Sequence, residues 1–110
     1  MAEKRFTPVG ATVAFEAYEA DGLIWYRFDC VETSCPEPMI NAMCGLKLLD
    51  TAQKRLVMVN MQEPLGLYPR IAADFAWEVE PLPSGDVEIT FRRKAATPPV
   101  TDFDNTHCNG

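Results

Sequence analysis

The chain has 110 residues, 47% hydrophobic and 24% charged, which suits one folded domain and leaves no room for a separate catalytic lobe. Its 16 acidic residues against 10 basic ones give a formal charge of −6. That balance argues against a surface that tracks phosphates, because nucleic-acid affinity rests on a basic face.

No segment approaches the ~20 uninterrupted apolar residues of a membrane helix. The charges near the amino terminus, Glu3, Lys4 and Arg5, lead into no apolar block, so no secretory signal is read there. The expectation is a cytoplasmic protein with no membrane insertion and no direct contact with nucleic acid.

Residues 1–10 carry Pro8 and Gly10 and little apolar pattern, and are read as a loose lead-in. A strand over 11–19 follows, rich in β-formers from Thr12 to Tyr18. Asp21-Gly22 supplies hairpin-turn chemistry, since Gly tolerates positive φ and Asp bonds its own backbone. The returning strand puts Ile24, Tyr26 and Phe28 on one face.

A helix is expected to begin at Pro36, because proline suits the first helical position, where its missing N–H would be unpaired anyway. Met39, Ile40, Met43 and Leu46 recur at helical spacing, and Gly45 weakens the pattern mildly. Leu56-Val57-Met58-Val59 is apolar throughout and fits a strand buried on both faces, paired in parallel through the helical crossover.

A second helix is expected within 65–76, its start blurred by Gly66 and Pro69, with Ile71, Ala72 and Phe75 on its buried side. Trp77 and Val79 alternate with Glu78 and Glu80, and Val87, Ile89 and Phe91 with Glu88, Thr90 and Arg92. Pro81 to Asp86 joins the two runs, which predicts a hairpin with one face in water. From Ala95 onward prolines and small polar residues predict a disordered tail over 95–110.

The order is β–β–α–β–α–β–β. It predicts an α+β two-layer sandwich: a mixed sheet of four or five strands with two helices on one face, in a single domain over 11–94.

The four cysteines are Cys30, Cys35, Cys44 and Cys108, and no two stand in a Cys-x-x-Cys pair. Cys35-Pro36-Glu37-Pro38 lies between a strand ending near Asp29 and the apolar helix. With Pro36 opening the helix, Cys35 is its N-cap, and the sulfur faces unpaired amides and the positive end of the dipole. That setting favours thiolate, although the Glu37 charge opposes it. The plainer reading is a small residue that merely caps a helix, and on spacing alone the two readings are even.

Phe28-Asp29, the five residues that follow, and Cys35-Pro36-Glu37-Pro38 before an apolar helix resemble the TusA/SirA family of sulfur carriers. The likeness covers about residues 25–94 and includes Gln62-Glu63-Pro64 as an Asp-Asp-Pro-like step. It implies the order β–α–β–α–β–β, sulfane sulfur held as a persulfide on Cys35, and sulfur donor and acceptor proteins as partners, with no cofactor. Where the family carries Gly-Leu-x before the cysteine, this chain has Glu32-Thr33-Ser34.

Two alternatives stand beside the carrier. One is a non-catalytic regulatory or interaction module of the same fold. The other is a thiol redox sensor in which Cys30 resolves Cys35, although a small apolar strand residue is the readier explanation of Cys30. Cys44 is expected to pack in the core, and Cys108 beside His107 to be an incidental tail thiol. One histidine and scattered cysteines form no metal site. Arg92-Arg93-Lys94 is read as solubility at a strand end.

Overall fold

The computed structural model describes residues 3–34, 36–94, 98–104 and 106. The strands are β1 (Lys4–Phe6), β2 (Phe15–Ala20), β3 (Leu23–Asp29), β4 (Lys54–Asn60), β5 (Phe75–Pro81) and β6 (Val87–Arg93), with helices α1 (Glu37–Leu46) and α2 (Tyr68–Ile71) flanking β4 in sequence. They form one six-stranded sheet in the order β1-β2-β3-β4-β6-β5. β3 and β4 are parallel and the other neighbours antiparallel. The α+β class is as expected, with a larger sheet.

The added strand, β1, comes from residues read as a loose lead-in. Phe6 explains the difference: its ring lies 6.2 Å from Phe15 and 6.1 Å from Tyr26, so burying one aromatic anchors three residues to the sheet edge. The β2–β3 hairpin turns at Asp21 (φ 56°) and Gly22 (φ 76°), the two consecutive positive values that a tight hairpin turn requires.

Strand alternation sorts the side chains. Phe15, Phe28, Leu56, Met58, Phe75, Ile89 and Phe91 point to one face and join Met39, Ala42, Met43, Leu46, Leu67 and Ile71 in one buried cluster. Both helices therefore cover that face. The closest approach is at Gly45, where a Cβ would meet Leu56 Cδ1 at 2.7 Å. Val57 and Val59 point to the opposite face yet are only 5% and 3% exposed. The strand is therefore buried on both sides although helices cover one.

Three expectations change. The N-cap of α1 is Pro36, and Pro38 stands in the first turn, so the helix starts one residue later than the proline rule suggested. α2 is a single turn opened by Pro69; the chain leaves it early because Phe75 belongs to β5 and pairs with Arg93. Residues 98–104, expected to be disordered, lie against the domain. Val100 and Thr101 bond Asp74, and the Phe103 ring meets that of Phe75 edge-on at 6.2 Å.

Among the described residues no helix is long and apolar enough to cross a membrane.

Candidate functional site

Because β3 and β4 run parallel, the loops that leave them emerge at the same edge of the sheet. That edge, beyond the carboxyl ends of parallel strands, is where α/β arrangements commonly place their chemistry. Three segments meet here: residues 30–34, the first turn of α1, and residues 61–67. The last lies over the first turn of α1, for a Cβ on Gly66 would stand 3.8 Å from Met39 Cε.

The first loop is held by its own hydrogen bonds. Cys30 N donates to Val59 O at 2.9 Å, which carries the parallel ladder one residue past β3. Val31 N donates to Asp29 Oδ1 at 2.9 Å. Thr33 closes a turn on the Cys30 carbonyl with its amide at 3.0 Å and its hydroxyl at 2.8 Å. Glu37 N then donates to Ser34 O at 2.9 Å, fastening the helix entrance to the loop.

Cys35 lies outside the described residues, and the expectation that it is the N-cap is corrected: the helix begins at Glu37, so the cap position belongs to Pro36. The residues expected to support that cysteine, Pro36, Glu37 and Pro38, are all among the described residues. Pro36 occupies the cap position with φ −95° and ψ 11°. Pro38 is half-buried, as is Glu37, whose carboxylate sits in the first turn where the helix dipole favours an anion.

Cys30 Sγ is wholly buried and donates to Val59 O at 3.3 Å, with Asn60 Oδ1 at 3.5 Å. Burial pushes its thiol up to about 12, and the Asp29 charge adds to the effect. A thiol in this state is a core donor. A role as resolving nucleophile requires the 30–33 turn to open.

Cys44 is half-buried beneath the amino-terminal segment, its Sγ 3.6 Å from Val9 O, and burial raises its thiol too. His107 and Cys108 fall outside the described residues. Among the described residues no three His, Cys, Asp or Glu side chains gather as metal ligands do.

Beside the loop lies an open depression lined by Val13, Asp29, Val31, Glu32, Thr33 and Asp86. Three of its six lining residues are carboxylates, and Glu37 and Glu63 stand on the converging segments. An anion at this edge would be drawn by the α1 dipole and opposed by these charges, so the edge suits a small anion held close to the helix better than a polyanion.

Several contributors carried no sequence signal. Asn41 is fully buried on α1, where its side chain accepts from Thr12 N at 2.8 Å and donates to Thr12 Oγ1 and Glu37 O at 2.9 Å. Asn60, at the end of β4, braces the second loop through Gln62 O at 3.0 Å. Met61 and Leu65 are 57% and 69% exposed on that loop, an apolar rim beside the helix entrance. Helical spacing could have placed Asn41 on the buried side, near Met39 and Ala42; the others depend on tertiary contacts. Compared with family models, curated proteins and solved structures, the chain matches none of them.

Proposed function

We propose that the chain is a sulfur carrier that takes sulfane sulfur as a persulfide on Cys35 and passes it to a partner protein. The observation that carries the reading is the position of the Pro36–Pro38 helix entrance, at the carboxyl edge of the parallel β3–β4 pair and over a self-bonded loop. From β3 to β6 the element order is β–α–β–α–β–β, the order that the TusA/SirA resemblance implies.

In the forward step the Cys35 thiolate attacks the outer sulfur of a donor persulfide. The donor S–S bond breaks, the donor leaves as a thiolate, and the outer sulfur is now bonded to Cys35. An acceptor thiolate attacks that same sulfur in the second step, and Cys35 leaves as thiolate. No net oxidation occurs and no cofactor is required. The α1 dipole favours the anionic persulfide, and the exposed Met61 and Leu65 offer an apolar contact for donor or acceptor.

The test is intact mass after incubation with a cysteine desulfurase and cysteine, or with a rhodanese-type donor. Wild type is expected to gain one sulfur atom, which a reductant removes, and Cys35→Ser to gain none. No gain by wild type, or an equal gain by Cys35→Ser, rejects the carrier.

A second reading, an interaction module without transfer activity, is favoured by Glu32-Thr33-Ser34 in place of the family's Gly-Leu-x. Under it, partners recovered with wild type bind Cys35→Ala equally well and no sulfur is acquired.

A further inference from the structure

The sheet face opposite the helices is ordered by charge. Arg27, Val57 and Thr90 form one row across β3, β4 and β6, closed at its two ends by Glu16 of β2 and Glu78 of β5. The next row toward one end is Trp25, Arg55 and Arg92, with Tyr18 stacked beside Trp25 at 6.4 Å. The next toward the other end is Asp29, Val59 and Glu88, and past it lies the depression that holds Asp29, Glu32 and Asp86. One end of the face is cationic and aromatic, the other anionic and hollow. Among the described residues neither Arg27 nor Arg92 makes an ion pair.

We propose that this face is the interface of a two-fold dimer of the chain. The occupant follows from the charge pattern. A polyanion would meet the carboxylates at one end and the −6 of the whole chain, whereas a second copy complements both ends at once.

The axis runs across the strands, between the Arg27 row and the Asp29 row. Each strand then lies antiparallel over its own counterpart, the aligned packing that two sheets adopt. By register, Arg27 faces Asp29 of the second copy and Val57 faces Val59; Trp25 and Arg92 come over the ends of the facing strands, where the loop with Val31 and the turn with Asp86 follow. Symmetry gives every pair twice. Along the outer strand β5 Glu78 faces Glu80, a like-charge contact at the rim.

Five strands at ~4.8 Å spacing and ~20 Å of length offer roughly 500 Å² from each copy, the low end for specific interfaces. An interface of that size belongs with the weak, transient ones, and its charge pairs make it loosen with salt.

Sedimentation velocity over a concentration series tests it. Wild type is expected to pass from 12.3 kDa to twice that mass, with at least about tenfold weaker association in high salt. Arg92→Asp and Asp86→Arg, each confirmed as folded by circular dichroism, are each expected to weaken self-association about tenfold or more. Mixed together they are expected to associate about as tightly as wild type, because both cross-interface pairs are then of opposite sign.

A mixture no tighter than its components overturns the proposal, and so does a wild type that stays monomeric at hundreds of micromolar. Monomeric wild type that binds a labelled oligouridylate, with binding lost in Arg92→Asp, overturns it in favour of a nucleic-acid surface. None of these outcomes depends on sulfur transfer at Cys35.

Discussion

The Thr101 hydroxyl donates to Asp74 Oδ2 at 2.5 Å, and the same oxygen accepts the amides of Val100 at 2.9 Å and Thr101 at 2.8 Å. One carboxylate oxygen thus ties residues 98–104 to the α2–β5 turn. Burial alone would raise the Asp74 carboxyl, but these three donors and Arg93 outweigh it, and the carboxyl lies below its ordinary 3.8. A depressed folded value means that the latch contributes fully at neutral pH. It is lost as pH falls through that value, after the unfolded chain has already taken up its proton. Thr101→Val is expected to cost about 1 kcal/mol of tail docking and to hasten proteolysis at 98–104 about fivefold. The amide shifts of Val100 and Thr101 should share an acidic midpoint below 3.8, and a midpoint at or above it would contradict the latch.

Gly45 tests how α1 meets the sheet. A Cβ there would stand 2.7 and 2.8 Å from the two Leu56 methyl carbons and 3.0 Å from Phe15 Cε2. Alanine would gain about 1 kcal/mol of helix propensity in the open. Here Leu56 and Phe15 are themselves fully buried and have little room to yield, and overpacking typically costs about 1–3 kcal/mol. Gly45→Ala is expected to be destabilising by about 1 kcal/mol net in urea unfolding. A stabilised variant would mean that α1 lies farther from the sheet.

Gly45 also shows where reading residues in order succeeds and where it stops. As a letter it marks a weak point in a helix; in the fold it is the contact that lets α1 approach β4. The alternating runs 77–80 and 87–92 needed only local pattern, and so did the Asp21-Gly22 turn, because their conformations are set within a few residues. β1 and the docked 98–104 segment were not legible, since each is held by one aromatic ring or one distant carboxylate. At the candidate site the Pro-x-Pro helix entrance was legible, one residue out of place. The lock of Thr33 on Cys30 was not, because Glu32-Thr33-Ser34 carries no glycine or proline turn signal, and the exposed Met61–Leu65 rim was not, because it arises only where two parallel strands end side by side.

Cys30 predicts a slope in alkaline stability. The folded chain holds its thiol proton until about 12, whereas the unfolded thiol ionises from its ordinary 9.0. A folded value raised above the unfolded one contributes stability that is complete below 9.0 and falls as pH rises toward 12. The loss is about 1.4 kcal/mol per pH unit within that window. Unfolding wild type and Cys30→Ala in urea on both sides of 9.0 isolates it, since the other groups titrate in both proteins. Parallel profiles would mean that the thiol is not desolvated. For the same reason iodoacetamide should label Cys30 only as fast as the 30–33 turn or the whole domain opens.

The Asn41 side chain is a joint between the amino-terminal segment and the first turn of α1. It satisfies Thr12 N and Oγ1 on one side and the Glu37 carbonyl on the other, all from a position with no exposure. Asn41→Leu keeps the branched outline of four side-chain heavy atoms and removes every partner, leaving Thr12 N without its side-chain acceptor, a loss of about 1–3 kcal/mol. Asn41→Asp preserves the acceptor for Thr12 N but brings a buried carboxylate against the Glu37 carbonyl, so it is expected to destabilise most at neutral pH and to recover as acid neutralises it. If the joint also sets the helix entrance, Asn41→Leu should slow sulfur uptake from a donor while leaving Cys35 the modified residue. Peptide mapping and the uptake rate, measured on protein still folded by circular dichroism, separate that effect from a global loss of structure. Unchanged stability in Asn41→Leu would show that β1 pairing and the packing of Phe6, Ala11 and Val13 hold the segment before β2 without this joint.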